Sequence, residues 1–254
     1  IYLMYGVMAH VAVARGIPVY GRKPGSTPMS VKTYSNINEL KRYEIGFRKA
    51  EYEHIYHLHQ DKAKAFTKEF LGKRFEGIST PEVDPWNPLG YSSDKQDYSR
   101  EKIIEELGLN PDNPIAIIMC HTFTDAAHAD NRQIYSDFHE WLKDTLEIIS
   151  KIPHINWIVK PHPEDKFYNS KIDNAIALTE KYLDECPWIK LAPPDLKTGS
   201  IINFVNALIT VRGTAALEYS VMGIPCIVTS RFNYTGLGFT HEPNSRDEYI
   251  QLLS

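Results

Sequence analysis

Trp157-Ile158-Val159-Lys160-Pro161-His162-Pro163-Glu164 is the stretch on which the reading of this chain turns. From Asn156 the residues are nearly all apolar, as in a strand buried on both faces of a sheet. Pro161 and Pro163 then stop it, because a proline fixes φ and has no amide hydrogen to give to a ladder. The same pattern recurs on either side. Ile115 to Cys120, Ala207 to Val211 and Ile224 to Thr229 read as further strands, with a short one marked by Ile189 and Leu191. Helical patterns fall between them. Ser99 can cap a helix to Leu107, with Glu101 in its first turn and Gly108 at its end. Arg132 to Lys151 places Ile134, Phe138, Trp141, Leu142, Thr145 and Ile148 on one side. Ala175 to Leu183, a helix opening at Ile201 to Phe204, and Thr214 to Met222 complete the series. Strand and helix alternate throughout, which predicts an α/β fold: a Rossmann-like parallel sheet, covered on both faces, over residues 98–254.

The chain before this region is less regular. Ile1 to Arg15 reads as a helix ended by Gly16, and Ile17 to Tyr20 as a short strand. Gly21 to Ser30 reads as a loop. Glu39 to Gly72 is expected to be mostly helical, from the spacing of Tyr43, Phe47, Ala50, His54 and His57. Gly77 to Asp97, with Pro81, Pro85 and Pro88 and few aliphatics, reads as a linker. Ala14-Arg15-Gly16-Ile17-Pro18-Val19 also echoes Val221-Met222-Gly223-Ile224-Pro225-Cys226, a helix stopping at glycine before a strand that starts at Ile-Pro. The expected division is part of a second α/β domain at 1–76, a linker at 77–97 and the sheet domain at 98–254. Because the chain opens on Ile1 inside a helix, more of the first domain is expected upstream.

Composition narrows the function classes. The 254 residues carry a net charge of −4, so no basic field points to nucleic acid, and an anionic ligand must be held by local groups. Hydrophobic residues at 43% and charged residues at 24% are the mix of a globular protein. The three cysteines, Cys120, Cys186 and Cys226, are scattered and suggest neither a disulfide framework nor a zinc knuckle. This usage fits a reducing cytoplasm. No apolar run approaches the roughly 20 residues of a membrane helix, and no signal peptide is visible.

Three clusters carry chemistry, each at the end of an expected strand, where open α/β sheets bind ligands. Lys160 and His162, aimed by the two prolines, suit a phosphate or diphosphate. The alternative is a loop with a solvated lysine and a structural histidine. Val211-Arg212-Gly213-Thr214-Ala215-Ala216-Leu217-Glu218 reads as a strand, a small-residue turn and a helix. The first amides of that helix are donors, and its dipole favours an anion. Thr214 can cap the helix or bind the ligand, and Glu218 can accept ribose hydroxyls. The alternative is a capped helix with a surface glutamate. In His121-Thr122-Phe123-Thr124-Asp125-Ala126-Ala127-His128, the residues His121, Asp125 and His128 are metal ligands by type. They lack a fourth partner and share no helical face, so a substrate or loop-ordering role is preferred to a metal. His54 and His57 are expected to flank a packing face, and the Tyr and Trp residues to anchor the core or a domain interface. Lys62, Lys64, Lys68, Lys73 and Arg74 form a mildly basic helix end, expected to be solvated or to face an acidic lipid or glycan carrier.

With these residues placed, the chain resembles the GT-B glycosyltransferases of bacterial surface-polysaccharide synthesis. The likeness is to the capsule and lipopolysaccharide group with a Lys-Pro-His-Pro turn, here Lys160 to Pro163, and a later Gly-Thr-x-x-x-Glu helix, here Gly213 to Glu218. The His121-x-Phe-x-Asp125 loop and the Gly223-Ile-Pro turn look like the same group. The resemblance covers residues 98–254 well and 1–75 loosely. It implies a nucleotide-sugar donor bound through its phosphates by Lys160, His162, Arg212, Gly213 and Thr214, with Glu218 on the ribose. It implies a glycan or glycolipid acceptor, an acceptor-side domain at 1–76, and a place in the cytoplasm or peripherally at the inner membrane. The catalytic base of such enzymes often comes from the N-terminal domain; His121 or Asp125 is the fallback here. No cofactor or metal is expected, since the cations and the helix end supply the positive charge. Rival readings are a non-hydrolysing sugar-nucleotide epimerase, a transferase using a cytidine diphosphate polyol, and a non-catalytic nucleotide-binding or scaffold domain.

Overall fold

The computed structural model describes residues 3–22, 31–41, 49–76, 95–124, 134–165 and 174–254. Asp125, His128, Tyr43, Phe47, the loop at 23–30 and the linker residues 77–94 lie outside them.

Five short strands form one parallel sheet: β3 (Ile115–Met119), β4 (Asn156–Lys160), β5 (Ile189–Leu191), β6 (Ala207–Thr210) and β7 (Cys226–Val228). Their order is β5-β4-β3-β6-β7, so the winding direction reverses between β3 and β6. That order is the doubly wound, Rossmann-like arrangement. Alternate residues of β3 and β4 enter separate cores. Ala116, Ile118, Trp157 and Val159 pack with α5 (Phe138–Ile149), α6 (Ala175–Leu183) and α8 (Arg246–Leu253). Ile115, Ile117, Met119 and Ile158 pack with α4 (Arg100–Leu107) and α7 (Thr214–Val221) on the opposite face. Every residue of β3 and β4 is buried, which is why β3 and the middle of β4, Trp157 to Val159, read as unbroken apolar runs. Each large side chain sunk this way, Trp141 and Trp157 among them, contributes roughly 1.5–3 kcal/mol.

Local chemistry sets the helix ends. The Ser99 hydroxyl accepts from the Lys102 amide, and Gly108 closes α4 at φ 61°. Asp137 caps α5, so that helix begins at Phe138, not at Arg132 as the periodicity predicts; Ile134 to Asp137 form bends. The expected helix at Ile201 is a single 3-10 turn, Ile201–Asn203. The expected strand from Ile224 is shorter and starts at Cys226. α8 is a helix the sequence reading lacks, although Ser245 and Glu248 have the spacing of a capping box and the Ser245 hydroxyl accepts from the Glu248 amide.

The earlier part holds α1 (Leu3–Ala14), then β1 (Val19–Arg22) paired antiparallel with β2 (Val31–Tyr34). Gly21 and Arg22 are therefore strand and not loop, and β2 is a strand the sequence reading lacks. Within the expected helical stretch the described residues hold α2 (Ile37–Lys41) and α3 (Lys49–Phe75), and residues 42–48 lie outside them. Non-helical torsions at His59 interrupt α3. Among the described residues no helix is long and apolar enough to cross a membrane.

Candidate functional site

The sheet register gathers the predicted residues. Lys160 of β4, Met119 of β3 and Thr210 of β6 stand level across three neighbouring strands. Two residues beyond each lie His162, His121 and Arg212. The sheet's own hydrogen-bond ladder therefore delivers three polar side chains to one place, beside the point where the winding reverses. A cavity of about 660 Å³ opens there, within the roughly 300–1,000 Å³ usual for small-molecule sites. Lys160, His162, His121, Arg212, Gly213, Thr214 and Glu218 all line it. Asp125 lies outside the described residues.

Lys160 is 8% exposed. Burial, with the nearby charge of Lys95, brings its amine down to about 8; the Cys120 thiol acts in the opposite sense. His162 is held by its own turn: its Nδ1 accepts from the Glu164 amide at 3.2 Å, and its carbonyl accepts from the Asp165 amide. That bond makes Nε2 the nitrogen that carries the hydrogen, a donor for an anionic ligand. Beneath the turn, burial pushes the Asp165 carboxyl up to about 6, with an opposing backbone bond from Ala175.

His121 is tied down. Its Nε2 hydrogen bonds to the carbonyl of Arg212, and its ring packs on Phe138 and stacks with His162 at 6.0 Å. Burial, then the charges of His162 and Arg212, push it down to about 3. It is neutral at pH 7 and a weak base. The Arg212 guanidinium lies 5.0 Å over the Phe138 ring. The Thr210 hydroxyl also reaches the Arg212 carbonyl, so this turn is braced from two strands.

Gly213 is the residue before α7, with φ 151° and ψ 159°, a conformation essentially confined to glycine. A Cβ there would meet His121 Nε2 at 3.3 Å. The Tyr234 hydroxyl donates to its carbonyl at 2.7 Å. No side chain caps α7; Thr214 is its first residue and not a cap. The N-terminal end of α7, with Gly213, Thr214 and Ala215, thus lines the cavity with no side-chain cap at Gly213, as an anion site favours.

Glu218, one turn into α7, is 4% exposed. Its Oε1 accepts from Arg74 Nε at 2.5 Å, with the two side chains 11% and 5% exposed. This corrects one expectation, since Arg74 is not part of a solvated basic end, and it sets aside the alternative in which Glu218 is a surface residue. Sequence reasoning missed Arg74, Tyr234 and the wall that α3 adds. Arg74 sits 144 residues from Glu218, and Lys-Arg-Phe at a helix end carries no local signal. His54 and His57 are exposed and stand away from this cavity. Among the described residues no group of three or more His, Cys, Asp or Glu forms a metal-binding set.

No family model and no curated protein matches the chain. Solved structures of similar fold include the Thermosulfurimonas dismutans KpsC β-Kdo 2,4-transferase, 14% identical with TM-score 0.46 over 72% of this chain. They include a UDP-GlcNAc 2-epimerase from Neisseria meningitidis bound to UDP-GlcNAc, 10% identical with TM-score 0.44 over 72% of this chain. The E. coli heptosyltransferase WaaC, solved with ADP-2-deoxy-2-fluoro heptose, is 11% identical with TM-score 0.34 over 66% of this chain. The chain spans 49%, 42% and 49% of the lengths of these three proteins, in that order. The assignment of a Rossmann-like sheet rests on the chain's own strand order.

Proposed function

We propose that this chain is the donor-binding half of a GT-B glycosyltransferase, moving a sugar from a nucleotide-sugar donor to a bacterial surface polysaccharide or glycolipid acceptor. The observation that supports this most is the charge of the cavity. Among the described residues that line it, Arg74, Lys160 and Arg212 face a single carboxylate, Glu218, inside a chain whose net charge is −4. Local inversion of charge at a helix N-terminus, beside a stiff Lys-Pro-His-Pro turn, suits a diphosphate flanked by a hydroxyl-bearing sugar. In this reading Lys160, His162 Nε2, Arg212 and the amides at Gly213 and Thr214 hold the phosphates, and Glu218 takes ribose hydroxyls. The same groups stabilise the diphosphate as it leaves the anomeric carbon, while a base deprotonates the acceptor hydroxyl. His121 spends its Nε2 hydrogen on the Arg212 carbonyl and binds a second proton only near pH 3, so we give it a positioning role. That leaves Asp125, or a residue of the acceptor side, as the base. The positive charge needed by the leaving group comes from the side chains and the helix end, without a metal. The division into an acceptor-side part at 1–76, a linker at 77–97 and a donor domain at 98–254, and a cytoplasmic site of action, peripheral at the inner membrane, belong to the same proposal.

Calorimetry with CMP, UDP, GDP and ADP tests it. At least one should bind, and His162→Ala and Glu218→Ala should each weaken it roughly tenfold or more, the worth of a hydrogen bond to a charged group. Unchanged affinity in both variants would sink the site assignment. Turnover of a nucleotide sugar without acceptor would move the reading to the epimerase.

A further inference from the structure

Across the cavity from Lys160 stands a helix that precedes the whole sheet in sequence. α3 contributes Phe70, Leu71 and Arg74 to the wall. Its C-terminal end is anchored: Leu71 is buried, and Phe75 lies so close over Gly199 that a Cβ there would meet the Phe75 carbonyl at 3.1 Å. Further toward its N-terminus the same helix leaves Ile55, Leu58 and Phe66 exposed. Arg74 is the polar part of the anchored end, through its bond to Glu218.

As a fastener alone this pair is a poor choice. Taking two charges out of water costs several kcal/mol per ion, and their attraction only partly offsets it. An apolar contact of the same volume would hold α3 as well. At the rim of a cationic cavity the pair has a second use. A carboxylate has about four acceptor positions, so holding Arg74 does not by itself stop Glu218 from receiving hydroxyls. The planar guanidinium, gripping through Nε, fixes the direction in which the carboxylate faces.

We propose that Arg74 is the positioning residue for the ribose end of the ligand: it aims Glu218 and closes a nucleoside diphosphate between α3 and the edge of the sheet. This rests on the nucleotide reading above and deepens it. The diphosphate end, held by Lys160, His162 and the α7 amides, does not need α3. The ribose end does.

The test separates the two ends. The full chain, R74M and R74K are titrated calorimetrically with inorganic pyrophosphate and with UDP, CDP, GDP and ADP, and thermal unfolding is followed in parallel. R74M should lose roughly ten- to hundred-fold in affinity for the tightest nucleoside diphosphate, while pyrophosphate changes by less than about threefold. R74K, which keeps the cation without the fork, should fall between R74M and wild type. Bound nucleoside diphosphate should also slow hydrogen exchange at Thr67 to Phe75 in the wild type and not in R74M. Equal losses for both ligands, or no loss for either, would overturn the proposal and leave the nucleotide site standing. If R74M does not fold, R74K decides: a loss confined to the nucleoside diphosphates supports the assignment, and any other pattern overturns it. A wild type that binds pyrophosphate as tightly as every nucleoside diphosphate would instead remove the nucleotide reading itself.

Discussion

Replacing Lys160 by methionine should make the empty protein more stable and disable its ligand site. Lys160 is 8% exposed at the end of β4, and burial brings its amine from 10.5 down to about 8. The folded chain therefore holds the proton less tightly than the unfolded chain does. Each tenfold change in proton affinity is worth about 1.4 kcal/mol, so keeping this lysine charged costs the fold roughly 3 kcal/mol. The sign follows from the direction: the penalty is complete below about pH 8 and disappears as pH rises past 10.5, where both states are neutral. Methionine matches the unbranched stem and carries no charge, and swaps that conserve volume are tolerated. Lys160→Met should therefore raise the unfolding free energy at pH 7 by up to about 3 kcal/mol, which is about 1–3 M in urea midpoint at ordinary slopes. The advantage should shrink between pH 8 and 10.5. The tightest nucleoside diphosphate, at a hundredfold its Kd, should stabilise the wild type by about 2.7 kcal/mol and leave the variant nearly unmoved. Urea titrations at pH 7 and 10, with and without ligand, read all of this. A variant less stable than wild type at pH 7, or a difference that ignores pH, would show that Lys160 is not a strained, desolvated cation and would refute the reasoning.

Further outcomes concern Gly213 and His121 of the same site and, as a control away from it, the cap of α4. Gly213→Ala should lose roughly 1–3 kcal/mol in chemical denaturation, because an alanine at φ 151° is strained and its Cβ crowds His121; an unchanged midpoint would mean the turn is free to relax. The ring signals of His121 should not titrate between pH 8 and 5 by NMR, since its proton affinity is pushed down to about 3. Because the unfolded chain takes that proton at a higher pH, near 6.5, the His121 contribution to stability should fall as pH drops from about 6.5 toward 3, and replacing His121 by asparagine should flatten that part of the pH profile. Ser99→Ala should cost about 1 kcal/mol through loss of the bond to the Lys102 amide, measured by thermal unfolding, with ligand affinity unchanged.

The sheet was legible in the sequence because its central strands are buried on both faces. Ile115 to Met119 and Trp157 to Val159 leave no room for polar residues, so an unbroken apolar run maps directly onto a strand. The site was legible for a related reason. Pro161 and Pro163 cannot continue a central strand and the backbone at Gly213 calls for glycine, so both mark strand ends, and in a parallel sheet those ends share one edge. Other elements lacked such constraints. β2 is four residues with Val31 and Thr33 exposed, so nothing in Val-Lys-Thr-Tyr separates it from loop. The start of α5 was placed too early because Ile134 continues the apolar spacing, whereas Asp137 takes the cap and ends the competition. The partner of Glu218 was invisible, because an ion pair between Arg74 and a residue 144 positions later leaves no trace in local spacing.

The electrostatic cost of the cavity itself argues for a ligand. A desolvated lysine and an ion pair almost closed to water are both costly to bury, and both line the same 660 Å³, beside an arginine stacked on Phe138 and a turn that only glycine adopts readily. Elsewhere the sheet domain follows local rules: strands of apolar residues, helices capped by Ser99, Asp137, Asn174 and Ser245, and two apolar cores. Departures from consistency that gather at one spot, while the rest of the fold conforms, are the mark of a site shaped for something it binds. Their signs agree as well. Lys160 is a desolvated cation, the turn at Gly213 leads into the amide donors of α7, and the one carboxylate among the described lining residues is paired with Arg74. An anion with a hydroxyl-bearing arm would relieve the first two at once and could share the third, which is the chemistry of the nucleoside diphosphate proposed for this cavity.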